Sequence, residues 1–114
     1  MEKYTYDGED FKAVFNSDNW KIGLLKHSQR FSKLCVFERH LKTDEVFVLL
    51  MGEASLFVKD EKGNIEETVM ERNTVYNIPK GEWHHIVVSP DATVLVVENS
   101  DTTKENTEKV MINL

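Results

Sequence analysis

Along most of this chain apolar residues fall at every second position, in short runs broken by turn-forming residues. Trp20, Ile22 and Leu24 alternate with Lys21 and Gly23, and Ala54, Leu56 and Val58 alternate with more polar neighbours. Residues two apart on a strand share a face, so this period predicts strands with one face covered. The pattern predicts strands at 20–26, 34–40, 45–51, 53–59, 65–70, 74–78, 83–88, 93–98 and 109–114. Asp60-Glu61-Lys62-Gly63-Asn64, Glu71-Arg72-Asn73, Pro79-Lys80-Gly81-Glu82 and Ser89-Pro90-Asp91 are the turns between them. Phe11, Val14 and Phe15 fit a helical turn as well as a strand, and 99–108 reads as a polar surface loop. Many short strands at regular spacing, with no long helical period, predict an all-β sandwich or barrel.

The run Glu45–Met51 stands apart because it is apolar on both faces, with Phe47, Leu49 and Met51 on one and Val46, Val48 and Leu50 on the other. Such a strand is covered on both sides, and in so small a protein the outer cover is expected to be a terminal segment or a second subunit. The expected core comprises Val36, Phe47, Leu49, Leu56, Val58, Ile78, Ile86 and Val96. Phe37, Val46, Val48 and Leu50 lie in the opposite phase, and that much apolar surface on a small protein predicts a homodimer related by a two-fold axis. Trp83 and Tyr76 are expected to pack.

At 114 residues the chain suits one domain spanning its whole length, with room for a core. A formal charge of −6, with Lys and Arg scattered, excludes a basic stripe for nucleic acid. The opening residues lack the basic-then-apolar signal-peptide pattern, and no apolar run is long enough to span a membrane. Cys35 is the one cysteine, which excludes an internal disulfide and fits a reducing cytoplasm. It is expected to be an inert buried thiol.

Candidate chemistry gathers where the strands 34–40 and 45–51 meet. Alternation puts Glu38 and His40 on one face, and if the two strands pair as a hairpin Glu45 joins them. Ionisable groups pointing inward are costly unless they bind something or each other. A second concentration, Trp83-His84-His85, follows the Pro79–Glu82 turn; His84 is expected in the site and His85 on the opposite, surface or interface, side. No Ser, Cys or Gly-rich arrangement suggests a nucleophile or a phosphate loop.

Two spaced motifs carry these residues: Glu38-x-His40-x4-Glu45-x6-Gly52 within about 32–52, and Asn73-x5-Pro79-x-Gly81-x2-His84-x3-Val88 within about 73–88. Together they resemble the paired motifs of the cupin superfamily, in its compact single-domain form. Four positions depart from the family pattern. Glu38 stands where the first histidine belongs, Ser32 and Asn73 replace the opening glycines, and Val88 replaces the closing asparagine. Asn73 is compatible with the left-handed backbone a glycine would adopt.

The resemblance implies a cupin-type double-stranded β-helix, a jelly-roll barrel with an internal pocket. It also implies a divalent metal, Zn, Mn, Fe or Ni, held by His40, Glu45 and His84, with Glu38 as a fourth group. A two-His, one-carboxylate set leaves positions open for a small-molecule substrate. Similar cupins include dioxygenases, isomerases, lyases and decarboxylases. Two alternatives are a metal-free sugar- or small-acid-binding module and a metal-free isomerase, with His40 or His84 as base and Glu38 or Glu45 as partner.

Overall fold

The computed structural model describes residues 1–112. Ten strands follow one another: β1 Phe11–Asn16, β2 Trp20–Lys26, β3 Val36–His40, β4 Glu45–Met51, β5 Ala54–Lys59, β6 Ile65–Val69, β7 Tyr76–Ile78, β8 Trp83–Val88, β9 Thr93–Asn99 and β10 Thr107–Met111. A single 3₁₀ turn, Gln29–Phe31, interrupts them. The strands form two antiparallel sheets, in the orders β1-β2-β9-β4-β7 and β10-β3-β8-β5-β6. Among the described residues no helix is long and apolar enough to cross a membrane.

The open question at the start of the chain resolves as strand, since β1 pairs along β2 with a shift between Ala13 and Phe15. The final strand begins earlier than its apolar pattern suggested, at Thr107, and pairs with β3. Leu114, expected on that strand, lies outside the described residues.

The expected hairpin between β3 and β4 does not form. β3 pairs with β10 and β8, whereas β4 pairs with β7 and β9. Residues 41–44 therefore carry the chain from one sheet to the other. Backbone hydrogen bonds pin that corner on both sides: Leu41 N donates to Asn106 O (2.9 Å) and His40 O accepts from Gly81 N (2.8 Å). The Asp44 carboxylate takes Lys80 N at 3.0 Å and Asn77 Nδ2 at 3.1 Å. Local composition cannot distinguish a hairpin turn from a crossover, because both need a short polar link; the pairing is decided by what lies across the barrel.

Two turn residues are fixed by backbone geometry. Asn73 takes φ 62°, the left-handed conformation expected of it in place of glycine. Gly52 takes φ 77°, and a Cβ there would stand 2.6 Å from Ala92 Cα, so the turn after β4 excludes a side chain.

The core lies between the sheets and contains Phe47, Leu49, Leu56, Ile78, Ile86 and Val96 as expected, with Val58 and Tyr76 packed against it. It also takes Leu25, Phe31, Met70, Val88 and Val94. Two expectations fail here. Val36 is only half-buried and stands at the start of β3, opposite Met111. Phe37, expected on an exposed face, is 1% exposed within the single chain. It lies beside Val110 of β10, with the Lys59 ammonium 5.7 Å from its ring. On β2, Trp20, Ile22 and Leu24 share one face as read, and it is the outer one; Lys21, Gly23 and Leu25 form the inward row. Leu25 is in the core, while Trp20 is 44% exposed.

Candidate metal centre and its pocket

The crossover at 41–44 brings carboxylates and imidazoles from both sheets to one point. Glu38 and His40 come from β3, His84 from β8 and Glu45 from the first position of β4. Glu38 and His84 are direct cross-strand partners. One ligand atom from each of the four lies within 4.8 Å of the others. His84 Nε2 stands 2.8 Å and His40 Nε2 3.1 Å from the same oxygen, Glu45 Oε1, and His40 Nε2 is 3.9 Å from Glu38 Oε1. All four expected site residues are therefore brought together. His40, Glu45 and His84 are buried and Glu38 half-buried.

The hydrogen-bond network assigns the tautomers. His84 Nδ1 is 3.0 Å from Glu82 O, a carbonyl that can only accept, so Nδ1 carries the proton. His40 Nδ1 is 2.9 Å from Thr107 Oγ1, whose own proton goes to Thr103 O at 2.8 Å; His40 Nδ1 therefore also donates. Both rings turn Nε2 toward an acceptor-only carboxylate oxygen. Neutral rings of this tautomer place three lone pairs around one point, which demands positive charge: protons on both Nε2 atoms or a cation between them.

Donors each about 2.1 Å from a tetrahedral ion stand about 3.4 Å apart, and the separations here bracket that value. An anchored Nδ1–H is also the usual support of a metal-binding histidine. The donor set fits a divalent transition ion.

The electrostatics follow from burial and mutual charge. Burial pulls both histidines down, but the hydrogen bond and charge of Glu45 outweigh it and raise His40 and His84 above their ordinary value. Burial pushes Glu45 up, yet the hydrogen bonds and charges of the two imidazoles hold it below the usual carboxylate range.

Two pocket residues were not singled out in the sequence. Glu98, on β9, is the cross-strand partner of both Glu45 and Lys21, so it faces inward beside the cluster. Burial first and the Glu45 charge second push it up to about 7. Its Oε1 lies 3.6 Å from Lys21 Nζ, and its Oε2 lies 4.0 Å from His40 Nε2. Lys21 Nζ also donates to Thr102 O at 3.0 Å. The available signal was alternation: Val94, Val96 and Glu98 form one inward row ending in a carboxylate. The segment read as a surface loop supplies Thr102, Thr103 and Lys104 to the cavity wall.

His85 corrects another expectation. It is 5% exposed rather than on the surface, its Nε2 bonds Arg30 O at 3.0 Å, and its ring stacks on Phe31 at 6.0 Å. The 3₁₀ turn covers it, and burial holds it below its ordinary value. Trp83 packs under the Arg39 guanidinium, 4.4 Å from its ring. Cys35 is half-buried, with Sγ 3.8 Å from Arg30 O, rather than fully enclosed.

The whole cluster opens into a cavity of about 680 Å³, walled on its apolar side by Phe11, Leu25, Phe31, Phe47, Ile86 and Val96. That size suits a small-molecule ligand.

No protein-family model and no curated protein sequence matches the chain. Solved structures do. A cupin-2 domain protein from Shewanella frigidimarina superposes with a TM-score of 0.64 at 19% identity, over 82% of this chain and 84% of that one. The chain has the cupin fold. Oxalate decarboxylase of Bacillus subtilis, in a mutant form, superposes on this chain with a TM-score of 0.65 at 19% identity, over 82% of this chain but 25% of its own. The chain thus spans about a quarter of that enzyme's length. Pac13, described as a nucleoside dehydratase, superposes with a TM-score of 0.72 at 6% identity, over 100% of this chain and 94% of its own. A Streptomyces Pac13 variant is similar in complex with uridine, with a TM-score of 0.70 at 8% identity, over 99% of this chain and 94% of that one.

Proposed function

We propose that this chain is a small-molecule-binding cupin whose pocket holds a divalent transition ion through His40, Glu45 and His84, with Glu38 as the fourth ligand. The observation that carries the reading is the pair of Nε2 atoms aimed at one Glu45 oxygen, each ring anchored through its other nitrogen. Such an ion, when bound, polarises a carbonyl or activates water at its open positions. The chain's own groups do the rest. Thr107 and the Glu82 carbonyl hold the rings, and Phe47 packs edge-on to His84 at 5.9 Å. Zn, Mn, Fe and Ni all accept such nitrogen and oxygen donors. The similar folds of a decarboxylase of oxalate and a nucleoside dehydratase support chemistry on a small polar substrate.

The test is metal content after purification without added metal, followed by melting with each ion. An ion at a hundredfold excess over its Kd stabilises by about 2.7 kcal/mol, a rise of roughly 10 °C in Tm for a domain of this size. An empty protein whose Tm no ion raises overturns the reading.

A second reading, acid–base chemistry without metal, is favoured by one observation. Glu45 and Glu98 sit side by side with proton affinities pushed apart, the arrangement that separates a base from an acid. Turnover of a keto-sugar panel by chelator-stripped protein distinguishes it from simple binding.

A homodimer is proposed through the outer face of the β1-β2-β9-β4-β7 sheet, and a reducing cytoplasm as its setting on the strength of the single Cys35. Val46 and Val48 are half-buried there and Leu50 is 49% exposed; Phe37 no longer contributes. The apolar stretch continues through Val14, Phe15, Ile22, Leu24 and Leu95. Sedimentation at micromolar concentration is expected to give the dimer mass, and a pure monomer counts against it.

A further inference from the structure

The Glu38–His40–Glu45–His84 cluster accounts for one end of the cavity, but it leaves Glu98 unexplained. Glu98 is 9% exposed, and among the described residues its Oε2 is the one buried side-chain oxygen or nitrogen with no hydrogen-bond partner. A buried polar atom left unpaired is costly, and a structure retains one where something outside the chain completes it. Beside it stands Lys21, whose side chain is 16% exposed. One Lys21 proton goes to Thr102 O at 3.0 Å and the ammonium pairs with Glu98 Oε1 at 3.6 Å, so a donor is left beside the unpaired acceptor. Both residues line the same cavity as the cluster, and Phe11, Leu25 and Phe31 supply an apolar wall.

We propose that Lys21 and Glu98 form a hydroxyl-recognition subsite, and that the pocket takes a neutral polyhydroxylated small molecule, a sugar or a sugar-bearing compound. The inference rests on the reading of this cavity as a small-molecule site. A hydroxyl is the group that fits, because it accepts from the Lys21 ammonium while donating to Glu98 Oε2. A carboxylate or phosphate seated there could accept from Lys21 but has no proton to give, which would leave Oε2 unpaired. An alkyl group would satisfy neither atom. A sugar ring adds apolar C–H surface, which the aromatic wall matches. Lys21 and Glu98 belong to β2 and β9 and pair directly with each other; Glu98 also pairs with Glu45 of β4, so the subsite adjoins the cluster from that sheet, across the barrel from Glu38, His40 and His84.

The experiment is titration calorimetry, with saturation-transfer NMR, against pentoses, hexoses and uridine, each paired with a deoxy counterpart, plus a set of small carboxylic acids. The full chain is used as purified, in wild-type, Glu98→Met and Lys21→Met forms. Methionine keeps the length of both side chains without their hydrogen bonds. At least one hydroxylated probe is expected to bind the wild type. Each variant is expected to weaken it by about tenfold or more, the loss typical of a hydrogen bond to a charged group. The deoxy counterpart lacking the recognised hydroxyl is expected to bind all three proteins alike. Metal content and the Tm rise with added ion are expected to persist in Glu98→Met, and their loss would make Glu98 a ligand and overturn the subsite. Carboxylic acids binding where no polyol does, or a polyol binding the folded variants as well as wild type, overturns this inference alone. Failure of every probe on the wild type overturns it together with the small-molecule reading.

Discussion

His84→Ala is expected to abolish retention of a divalent ion, whereas Glu38→Gln leaves it largely in place. His84 is 3% exposed, its ring is fixed by the Glu82 carbonyl, and its Nε2 is the closest nitrogen to Glu45. Nothing else on β8 could replace that donor from the same direction. Glu38 is half-buried and its oxygen is the more distant at 3.9 Å from His40 Nε2, so its removal costs charge balance more than geometry. Elemental analysis of both variants, purified alongside wild type, checks this. Equal metal in His84→Ala and wild type would sink the assignment, and equal loss in both variants would promote Glu38 to an essential ligand.

Proton linkage gives the same site a second signature. In the metal-free protein, His40 and His84 are raised relative to 6.5, so the stability they contribute is full below that value and is lost as pH rises through their folded pKa. Glu45 is lowered relative to 4.5, so its contribution is present above that value and is lost as pH falls through its folded pKa. Stripped protein is therefore most stabilised by the cluster between about pH 4.5 and 6.5, where all three groups are charged. Ion-loaded protein needs both Nε2 atoms deprotonated and should gain with rising pH over the same imidazole range. Urea midpoints of the two forms across pH are expected to slope in opposite directions above neutrality.

Phe37→Ala is expected to lower stability by roughly 3–5 kcal/mol, the usual cost of deleting a fully buried phenylalanine. The loss should not depend on protein concentration, because Phe37 is enclosed by its own chain, at 1% exposure. Leu50→Ala, at a position 49% exposed, should leave the monomer's stability nearly unchanged and weaken association instead. Urea denaturation of both variants at two protein concentrations separates these outcomes. A concentration-dependent loss for Phe37→Ala would return that residue to the proposed dimer face.

The contrast between Phe37 and Leu50 shows where sequence reading stopped. Alternation placed Phe37, Val46, Val48 and Leu50 in one phase, and the structure keeps that phase. Phase does not say whether a face is covered: β10 and the Lys59 side chain flank Phe37, whereas Leu50 is 49% exposed. The four cluster residues were legible because motif spacing and alternation are local properties. The turn Pro79–Glu82 was legible too, and Gly81 takes φ 83° there. Glu98 and Lys21 were not, because each is a single charge in an otherwise ordinary strand. Only the register of β2, β9 and β4 shows that Lys21, Glu98 and Glu45 lie in one row. His85 was misplaced because the 3₁₀ turn that covers it lies in a stretch whose composition reads as a polar link.

Glu45 and Glu98 stand on one sheet, and Glu38, His40 and His84 on the other. The contacts from both imidazoles to Glu45 therefore act as a rivet through the barrel, near the corner where the chain crosses over. The sheets cannot part at that end without first breaking those contacts. Amides of β4 and β8 flanking the rivet should accordingly exchange slowly together, and occupancy of the pocket should slow them further, while the fully exposed β6 edge exchanges independently of both.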